Sequence, residues 1–208
     1  MVNINDLRNS YERISNYLVK TPILTSDKLN DEFEANIFLK NEVEQLTGSF
    51  KIRGALSALS YLKKQGIEGV VAFSSGNHAQ GVSKAAQIFD MKAIIVMPKD
   101  APKNKIEKTK ANGAEVVLYE RHVQSREEIA EQIAEDNDFP LVRPFDNEQI
   151  IAGQGSFGIE ACEFFLANEI TPDIVLSCTS GGGLVAGTSI AFKHYFPDAE
   201  IYPVEPLT

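Results

Sequence analysis

The amino-acid sequence predicts a doubly wound α/β protein, in which parallel strands are covered by helices on both faces. Short apolar runs rich in valine and isoleucine recur along the chain, and each is followed by a longer segment with helical spacing. The chain is also large enough for this architecture, because 208 residues with 43% hydrophobic content can bury a sizeable core. No repeat, low-complexity tract or flexible linker interrupts the alternation.

The individual elements follow from these patterns in chain order. Strands are predicted where the apolar runs lie, at residues 37–40, 70–73, 93–97, 115–118, 141–142, 173–178 and 201–204. Helices are predicted between them, at residues 4–17, 50–64, 77–89, 102–111, 125–137, 148–166 and 184–195. Pro102 suits a first helical turn, Asn112 and Gly113 form a helix stop, and Pro172 precedes a new strand.

Charge and composition narrow the class of partner. The net charge of -9 leaves no sequence-wide basic field, which disfavours nucleic acid or an anionic membrane and favours a small-molecule ligand. Cys162 and Cys178 fit no C-x-x-C spacing, so we expect both to be reduced. Residues 1–16 lack an apolar leader, and no later apolar run approaches the ~20 residues that span a bilayer. We therefore expect a cytoplasmic protein.

The most informative stretch is KNEVEQLTGSFKIRGA, residues 40–55. Its lysine, Lys51, follows a Thr-Gly-Ser turn at the start of a predicted helix. Partial burial and a positive helix end both favour the neutral amine over the ammonium. A neutral amine can attack an aldehyde and form a Schiff base. The alternative is a solvated surface lysine, the usual state of a lysine at a helix start.

A second stretch, SSGNHAQG at residues 74–81, joins a predicted strand to a predicted helix. Small residues there expose backbone N–H groups and two hydroxyls at a helix N-terminus, which suits an anion such as an amino-acid carboxylate. The alternative is a helix that is merely capped by serine. His78 is expected to be structural, because one imidazole without a nucleophile or a ligand set makes neither a triad nor a metal site.

The third stretch, SGGGLVAG at residues 180–187, also joins a strand to a helix. Glycines let the backbone approach a phosphate closely, and N–H groups at the helix start satisfy its oxygens. One alternative is a turn without a ligand. Another is a dinucleotide fingerprint, with Gly181, Gly183 and Ala186 at the required spacing and Glu205 placed to hold a ribose. That alternative leaves Lys51 without a role.

Taken together, the three stretches resemble the motifs of the serine and threonine dehydratases and the related serine racemases, which are pyridoxal-phosphate enzymes of fold type II. The resemblance is unbroken over residues 47–55, with Lys40, Glu42 and Gln45 at the family's spacing upstream. It covers nearly the whole chain, from residues 21–23 through 152–155 to 204–206, and the motifs occur in the family's order.

The resemblance implies a role for each site residue. Lys51 would hold pyridoxal 5'-phosphate, and Asn77 would contact the ring hydroxyl of the cofactor. The implied cofactor-binding residues are Phe50, Lys51, Asn77, Ser180, Gly181, Gly182, Gly183 and Leu184. The implied substrate-binding residues are Ser74, Ser75, Gly76, Asn77 and His78. The implied catalytic residues are Lys51 and, as in the racemases, Ser75 on the opposite face of the substrate. Ser180 stands where the family usually has a fourth glycine.

The resemblance also implies an organisation. Residues 1–68 and 147–208 would form a large cofactor-binding domain of tryptophan-synthase-β-like architecture, and residues 69–146 a small domain inserted in it. Family members are longer, so we expect the large domain to be incomplete here and to lack the residue that faces the pyridine nitrogen. Part of the family binds a divalent cation, Mg or Ca, near the glutamate that matches Glu205.

The implied activity is an ammonia-lyase that converts L-threonine or L-serine to a 2-oxo acid and ammonia. In this mechanism Lys51 takes the α-proton, and the cofactor phosphate assists loss of the β-hydroxyl. Serine racemisation is the alternative within the family, alone or as a second activity. A dinucleotide-dependent oxidoreductase and a non-catalytic fragment remain as more distant alternatives. We expect a small amino-acid substrate and a homo-oligomer, a dimer or a tetramer.

Overall fold

A computed structural model describes residues 1–207 of the chain. Among these residues the helices are α1 Ile4–Ile14, α2 Asp27–Phe33, α3 Lys51–Lys64, α4 Asn77–Phe89, α5 Lys103–Ala111, α6 Arg126–Asn137, α7 Glu148–Ala167 and α8 Gly183–Tyr195. The strands are β1 Ile23–Leu24, β2 Leu39–Lys40, β3 Gly69–Phe73, β4 Lys92–Pro98, β5 Glu115–Tyr119, β6 Ile174–Cys178 and β7 Glu200–Val204.

The central sheet is parallel, with β4 between β3 and β5. Gly69 pairs with Lys92, and Ile94 pairs with Glu115. Its strands are short apolar runs of the kind that a parallel sheet buries on both faces. The strand predicted at residues 141–142 is reduced to a single parallel bridge between Leu141 and Val71. Pairing stays this short because Pro140 and Pro144 flank the segment and proline donates no N–H to a ladder.

Helices cover both faces of this sheet, which confirms the predicted fold class. On one face, buried side chains of α3 and α4 pack against Val70, Ala72, Ile95 and Met97. On the other face α6 packs against Val71, Phe73, Ile94 and Val96. Odd and even residues of each strand therefore face different helices, as the two-residue period of a strand requires.

A second group of helices lies beside the sheet, with α7 packed against α1, α3 and α8. Their shared core includes Leu7, Ile159, Phe165 and Phe192. Helices α7 and α8 approach closely because both have glycine at the crossing. A Cβ atom at Gly187 would lie 2.6 Å from the backbone nitrogen of Gly155, so a side chain there would force the helices apart.

The strands β6 and β7 form a two-stranded parallel sheet with one apolar face exposed. Val175 and Ile201 point toward the core that contains α7 and α8. The opposite face carries Ile174, Leu176, Tyr202 and Val204, which are 58%, 70%, 47% and 46% exposed. We call these four side chains the β6–β7 apolar face.

Several predicted boundaries differ from the structure. The helix predicted over residues 4–17 ends at Ile14 and continues as a 3-10 turn. Pro102 is the N-cap of α5, with φ -52° and ψ 127°, so its prediction as a first-turn residue is wrong by one position. Sequence analysis also missed β1, which pairs antiparallel with β2, and α2. Two-residue strands show no measurable period, and α2 has no buried residue to create one.

The division into domains at residues 68/69 and 146/147 stays a prediction. One hydrophobic cluster contains Ile52 and Leu56 from α3 together with Val82 from α4 and Ile95 from β4. The two parts of the chain therefore share a packed core around the start of α3. No helix of residues 1–207 has the length and apolar character needed to cross a membrane.

Candidate active site

Lys51 is the first residue of α3, and a tight turn places it there. Gly48 has φ 72°, the left-handed region that glycine adopts without steric cost, and its N–H donates to the Gln45 carbonyl over 2.7 Å. Phe50 is the N-cap residue, with no side-chain capping bond. The Thr-Gly-Ser segment thus turns the chain sharply before the helix that starts with the lysine.

The Lys51 amine is partly withdrawn from solvent. Its Nζ donates to the Pro144 carbonyl over 3.2 Å and lies 5.1 Å from the centroid of the Phe50 ring. Burial lowers the pKa of this amine below the ordinary lysine value, and the nearby Cys178 thiol opposes that shift. The neutral amine is therefore more available than it is on a surface lysine.

The segment 74–76 connects β3 to α4 as a turn without a side-chain cap. Gly76 is the N-cap residue, and no side chain caps the helix. The Ser74 hydroxyl accepts from the Gly76 N–H over 3.1 Å, which ties the turn rather than the helix. The alternative of a helix that is merely capped by serine is therefore wrong, because neither Ser74 nor Ser75 caps α4. The first N–H groups of α4 remain available to an anion.

The first two residues of α4 differ in burial and in partners. Asn77 is exposed, and its Oδ1 accepts from the Lys105 Nζ over 2.7 Å. His78 is buried, its Nε2 lies 3.0 Å from the Val142 carbonyl, and its Nδ1 has no partner among residues 1–207. Burial lowers the pKa of His78 to about 4, the carbonyl contact opposes this shift, and the charge of Lys51 adds to it. The imidazole is therefore neutral near pH 7 and anchors α4 to the segment after β5 and α6.

The glycine stretch forms the turn between β6 and α8. Gly182 is the N-cap residue in the left-handed region, with φ 81°. A Cβ atom at Gly181 would lie 2.1 Å from the Phe145 ring, and one at Gly183 would lie 2.7 Å from the Gln154 Oε1. A side chain at Gly181 would displace the Phe145 ring, and one at Gly183 would displace the Gln154 amide. With glycine at these positions, no side chain of residues 181–183 covers the backbone N–H groups at the start of α8. Ser180 precedes them and is exposed.

The structure brings the three stretches together. A Cβ atom at Gly81 would lie 3.1 Å from the Lys51 carbonyl oxygen, so α4 touches the backbone of the lysine. Pro144 accepts from Lys51, and its neighbour Phe145 packs on Gly181. The start of α3 thus contacts α4 directly and is linked through residues 144–145 to the turn before α8, and the N-termini of both helices carry partial positive charge.

The residues that connect the stretches were missed by sequence analysis. Gln154 is fully buried between α3 and the start of α8, and neither of its amide atoms has a hydrogen-bond partner among residues 1–207. Pro144 and Phe145 lie in the segment that leads into α7. The sequence offered one signal, because residues 152–155 belong to the resemblance without having an assigned task.

A buried network of charged side chains stabilises α3, the helix that begins with Lys51. The Arg53 guanidinium binds Glu42 through two hydrogen bonds of 2.7 Å and Glu160 through two of 2.9 Å. The Lys40 Nζ donates to Glu160 over 2.6 Å. Arg53 is fully buried and Glu160 is 2% exposed. This Arg53 network joins α3 to β2 and α7, two residues after Lys51. Glu160 could have been noticed as a carboxylate within the apolar sequence of α7.

The arrangement fits pyridoxal phosphate. A desolvated amine can react with the aldehyde. The N–H groups at the start of α8 can bind the phosphate, because glycines at residues 181–183 leave them uncovered by side chains. A family model described as pyridoxal-phosphate dependent enzyme matches residues 14–208. The chain belongs to this family of pyridoxal-phosphate-dependent enzymes.

Several similar pyridoxal-phosphate-dependent enzymes have names that refer to small amino acids as their substrates. The chain is 42% identical over 204 residues to serine racemase of Schizosaccharomyces pombe, covering 97% of this chain and 62% of the relative. It is 40% identical over 203 residues to L-threo-3-hydroxyaspartate ammonia-lyase of Saccharomyces cerevisiae, covering 97% of this chain and 61% of the relative. Against the crystal structure of a threonine deaminase from T.th. the TM-score is 0.91, with 42% identity over 98% of this chain and 65% of that one.

These comparisons confirm the resemblance and the fold type II architecture of the pyridoxal-phosphate-dependent enzymes. Because the family model includes residues 181–186, this segment is interpreted as part of a pyridoxal-phosphate enzyme and not as a dinucleotide fingerprint. The chain spans less than two thirds of the length of the relatives it matches, namely 62% and 61% of the two curated ones. Glu205, the predicted cation ligand, is exposed after β7, and no group of three His, Cys, Asp or Glu side chains lies together within residues 1–207.

Proposed function

We propose that the enzyme containing this chain is an ammonia-lyase that converts L-threonine or L-serine to a 2-oxo acid and ammonia with pyridoxal phosphate. The observation that carries the proposal is the Lys51 amine, desolvated at the place where α4 and the segment 144–145 meet the start of α3. The relatives named as a deaminase, an ammonia-lyase and a racemase support chemistry at the α-carbon of a hydroxy amino acid.

Each part of the site has a distinct task in this proposal. Pyridoxal phosphate, when bound, supplies an electron sink for negative charge at the substrate α-carbon. Lys51, as a neutral amine, takes the α-proton as general base. Residues 74–78 orient the substrate carboxylate with the N–H groups at the start of α4, and residues 180–184 hold the cofactor phosphate at the start of α8. Phe50 and Asn77 position the cofactor ring.

A turnover panel tests the proposal directly. The full-length enzyme loaded with pyridoxal phosphate is given L-threonine, L-serine, L-threo-3-hydroxyaspartate and D-serine, and 2-oxo acid and ammonia are measured. We expect L-threonine or L-serine to give the highest kcat/KM. Absence of 2-oxo acid from all four substrates, with cofactor bound, would contradict the proposal and favour a non-catalytic role.

Ser75 separates a lyase from an enzyme that is also a racemase. Racemisation needs proton transfer on both faces of the substrate, whereas elimination from an L-amino acid begins with Lys51 alone. We expect Ser75→Ala to abolish racemisation and reaction with D-serine and to leave L-serine elimination within about threefold. Because Ser75 caps no helix, the free energy of unfolding should change by less than about 0.5 kcal/mol.

The outcome is measured as D-serine formation and pyruvate formation on the same folded preparation. Equal loss of both activities would argue against a role for Ser75 on one face. If the parent enzyme has neither racemase nor D-serine activity, the serine has no racemase role here and the lyase proposal stands alone.

Gly182 tests the phosphate site, and Gly66 provides a matched control. Both have φ 81°, and a Cβ atom at either would have no neighbour within 4 Å. Valine at either position therefore carries the same left-handed strain, about 1–2 kcal/mol. We expect Gly182→Val also to weaken pyridoxal-phosphate affinity about 10–100-fold, because its side chain lies where phosphate would meet the backbone. Gly66→Val should bind cofactor like the parent. Equal affinity of the two variants would mean that the turn does not hold phosphate.

The remaining expectations are proposals of the same kind. We propose that residues 69–146 form an inserted small domain and that residues 1–68 and 147–208 belong to the large one. We also propose that Glu205 contributes one ligand to a bound Mg or Ca ion, with other ligands from outside residues 1–207. A dimer or tetramer is the proposed assembly. Limited proteolysis, metal analysis and light scattering on the full-length enzyme test these three statements; one uncleaved core, no bound metal and a monomer would contradict them.

A further inference from the structure

Lys105 and Asn77 form a polar contact between α5 and α4. The Lys105 Nζ lies 2.7 Å from the Asn77 Oδ1. The backbone of Lys105 is held in place, because its N–H donates to the Pro102 carbonyl over 2.8 Å and its carbonyl accepts from the buried Thr109 hydroxyl over 2.8 Å. At the other end of α5, the Asn112 Nδ2 donates to the buried Ser83 hydroxyl over 3.0 Å. The two helices are therefore tied at both ends of α5.

The chemistry of this contact fixes the orientation of the Asn77 amide. An ammonium group has donors only, so it must face the amide oxygen. The Nδ2 amino group then points away from Lys105, with both of its hydrogens available to another acceptor. A 180° flip of the amide would place two donors against a cation. Hydrogen bonds from a charged donor are stronger than neutral ones and polarise the group that accepts them.

The position of Lys105 is unfavourable for helix stability, which separates it from an ordinary surface lysine. It lies in the first turn of α5 and beside the first residue of α4, so its charge is near two positive helix ends. It makes no ion pair with a carboxylate of residues 1–207, although the chain carries a net charge of -9. The favourable interaction of the Lys105 ammonium is its hydrogen bond to the Asn77 amide oxygen.

We infer that Lys105 is a positioning residue for the cofactor, holding Asn77 with its Nδ2 hydrogens directed at the ring oxygen of bound pyridoxal phosphate. This inference rests on the proposed function, in which Asn77 contacts that oxygen. A polarised N–H donor stabilises the ionised oxygen more than the neutral hydroxyl. Lys105 therefore strengthens cofactor binding and favours the cofactor form with the ionised ring oxygen, which absorbs visible light.

A double-mutant cycle tests whether Lys105 acts through Asn77. Cofactor affinity and the absorption spectrum are measured for the full-length parent, Lys105→Met, Asn77→Ala and the double variant. Methionine keeps most of the length of the side chain and removes the charge. We expect Lys105→Met to lower affinity about tenfold, because the Asn77 amide loses both its fixed orientation and the polarisation of its N–H donors. Absorption should move from the visible band toward the near-ultraviolet. In the Asn77→Ala background, the lysine substitution should have no further effect.

Two controls make the result specific. Lys108→Met removes an exposed lysine one turn later on α5 and should bind cofactor with the parent's affinity and spectrum. Lys105→Arg keeps a cationic donor and should restore most of the affinity and the visible band. The inference is overturned if Lys105→Met behaves like Lys108→Met, or if its effect is undiminished in the Asn77→Ala background. If Asn77→Ala itself changes neither affinity nor spectrum, the proposed cofactor site fails instead.

Discussion

Replacing Lys51 with alanine is expected to reduce the proposed ammonia-lyase activity of the full-length enzyme by about 10⁴-fold or more, since in the proposed mechanism this one side chain both binds the cofactor covalently and moves the α-proton. Two other lysines discussed above are engaged elsewhere, because Lys105 directs its ammonium at Asn77 and Lys40 donates to Glu160. The variant should also fail to form a borohydride-reducible bond to pyridoxal phosphate.

A control on the same helix separates this effect from a loss of folding. Lys64→Ala removes the exposed lysine at the last residue of α3 and should retain parent activity. Turnover and borohydride-dependent loss of colour are measured for both variants alongside thermal unfolding. Near-normal turnover by a folded Lys51→Ala variant would remove Lys51 from the mechanism.

The largest stability effect is expected from Glu160→Ala, at about 3–5 kcal/mol of unfolding free energy. Glu160 accepts from Arg53 and from Lys40, and all three side chains are buried. After the substitution Lys40 keeps the Thr21 carbonyl but has no carboxylate partner, and Arg53 keeps Glu42 and the Ser156 hydroxyl. A new partner must then be found in water or in rearranged protein, and either response disrupts the packing of α3 against α7.

Glu163→Ala provides the comparison, because Glu163 lies on the same helix but in contact with solvent. Its bridge to Lys20 spans 3.3 Å, with side chains 47% and 69% exposed. Such pairs contribute at most about 1 kcal/mol. Urea unfolding of the two variants should therefore separate them clearly. Similar midpoints for both variants would show that the Arg53 network does not support the fold.

The same carboxylate gives the parent a characteristic pH dependence. Burial opposes ionisation of Glu160, but hydrogen bonds from Arg53 and Lys40 and their charges outweigh it, so the pKa of this carboxyl lies below its usual range. A lowered pKa in the folded state stabilises the protein above the unfolded value of about 4.3. That stabilisation is lost as pH falls through the folded pKa. Glu160→Ala should lack this part of the acid-induced loss of stability.

Sequence reasoning was most successful where neighbouring residues determine the local geometry. The helix over residues 77–89 was predicted with the bounds that the structure has, because an apolar strand, small turn residues and helical spacing follow one another there. The parallel sheet was predicted for the same reason. Lys51 was recognised by the turn before it and by the resemblance, and the structure adds the burial that makes its amine unusual.

Contacts between distant segments were beyond this reasoning. In the sequence Arg53 is indistinguishable from any other charged residue of a helix. Its partner Glu160 lies 107 residues later, on α7. Gln154 and Phe145 acquire meaning only through the glycine turn that they touch. The Lys105 contact with Asn77 joins helices 28 residues apart. In each case the signal is a tertiary distance, which neither composition nor period contains.

The β6–β7 apolar face has a consequence for how a protein made of these 208 residues alone would behave in salt. At low ionic strength the net charge of -9 makes molecules repel one another over roughly a Debye length. Added salt shortens that range to about 3 Å at 1 M. It does not weaken the attraction between the apolar faces of two molecules, where side chains such as Ile174 and Leu176 would meet. Self-association should therefore increase with salt, because salt removes the long-range repulsion and leaves the short-range apolar contact intact.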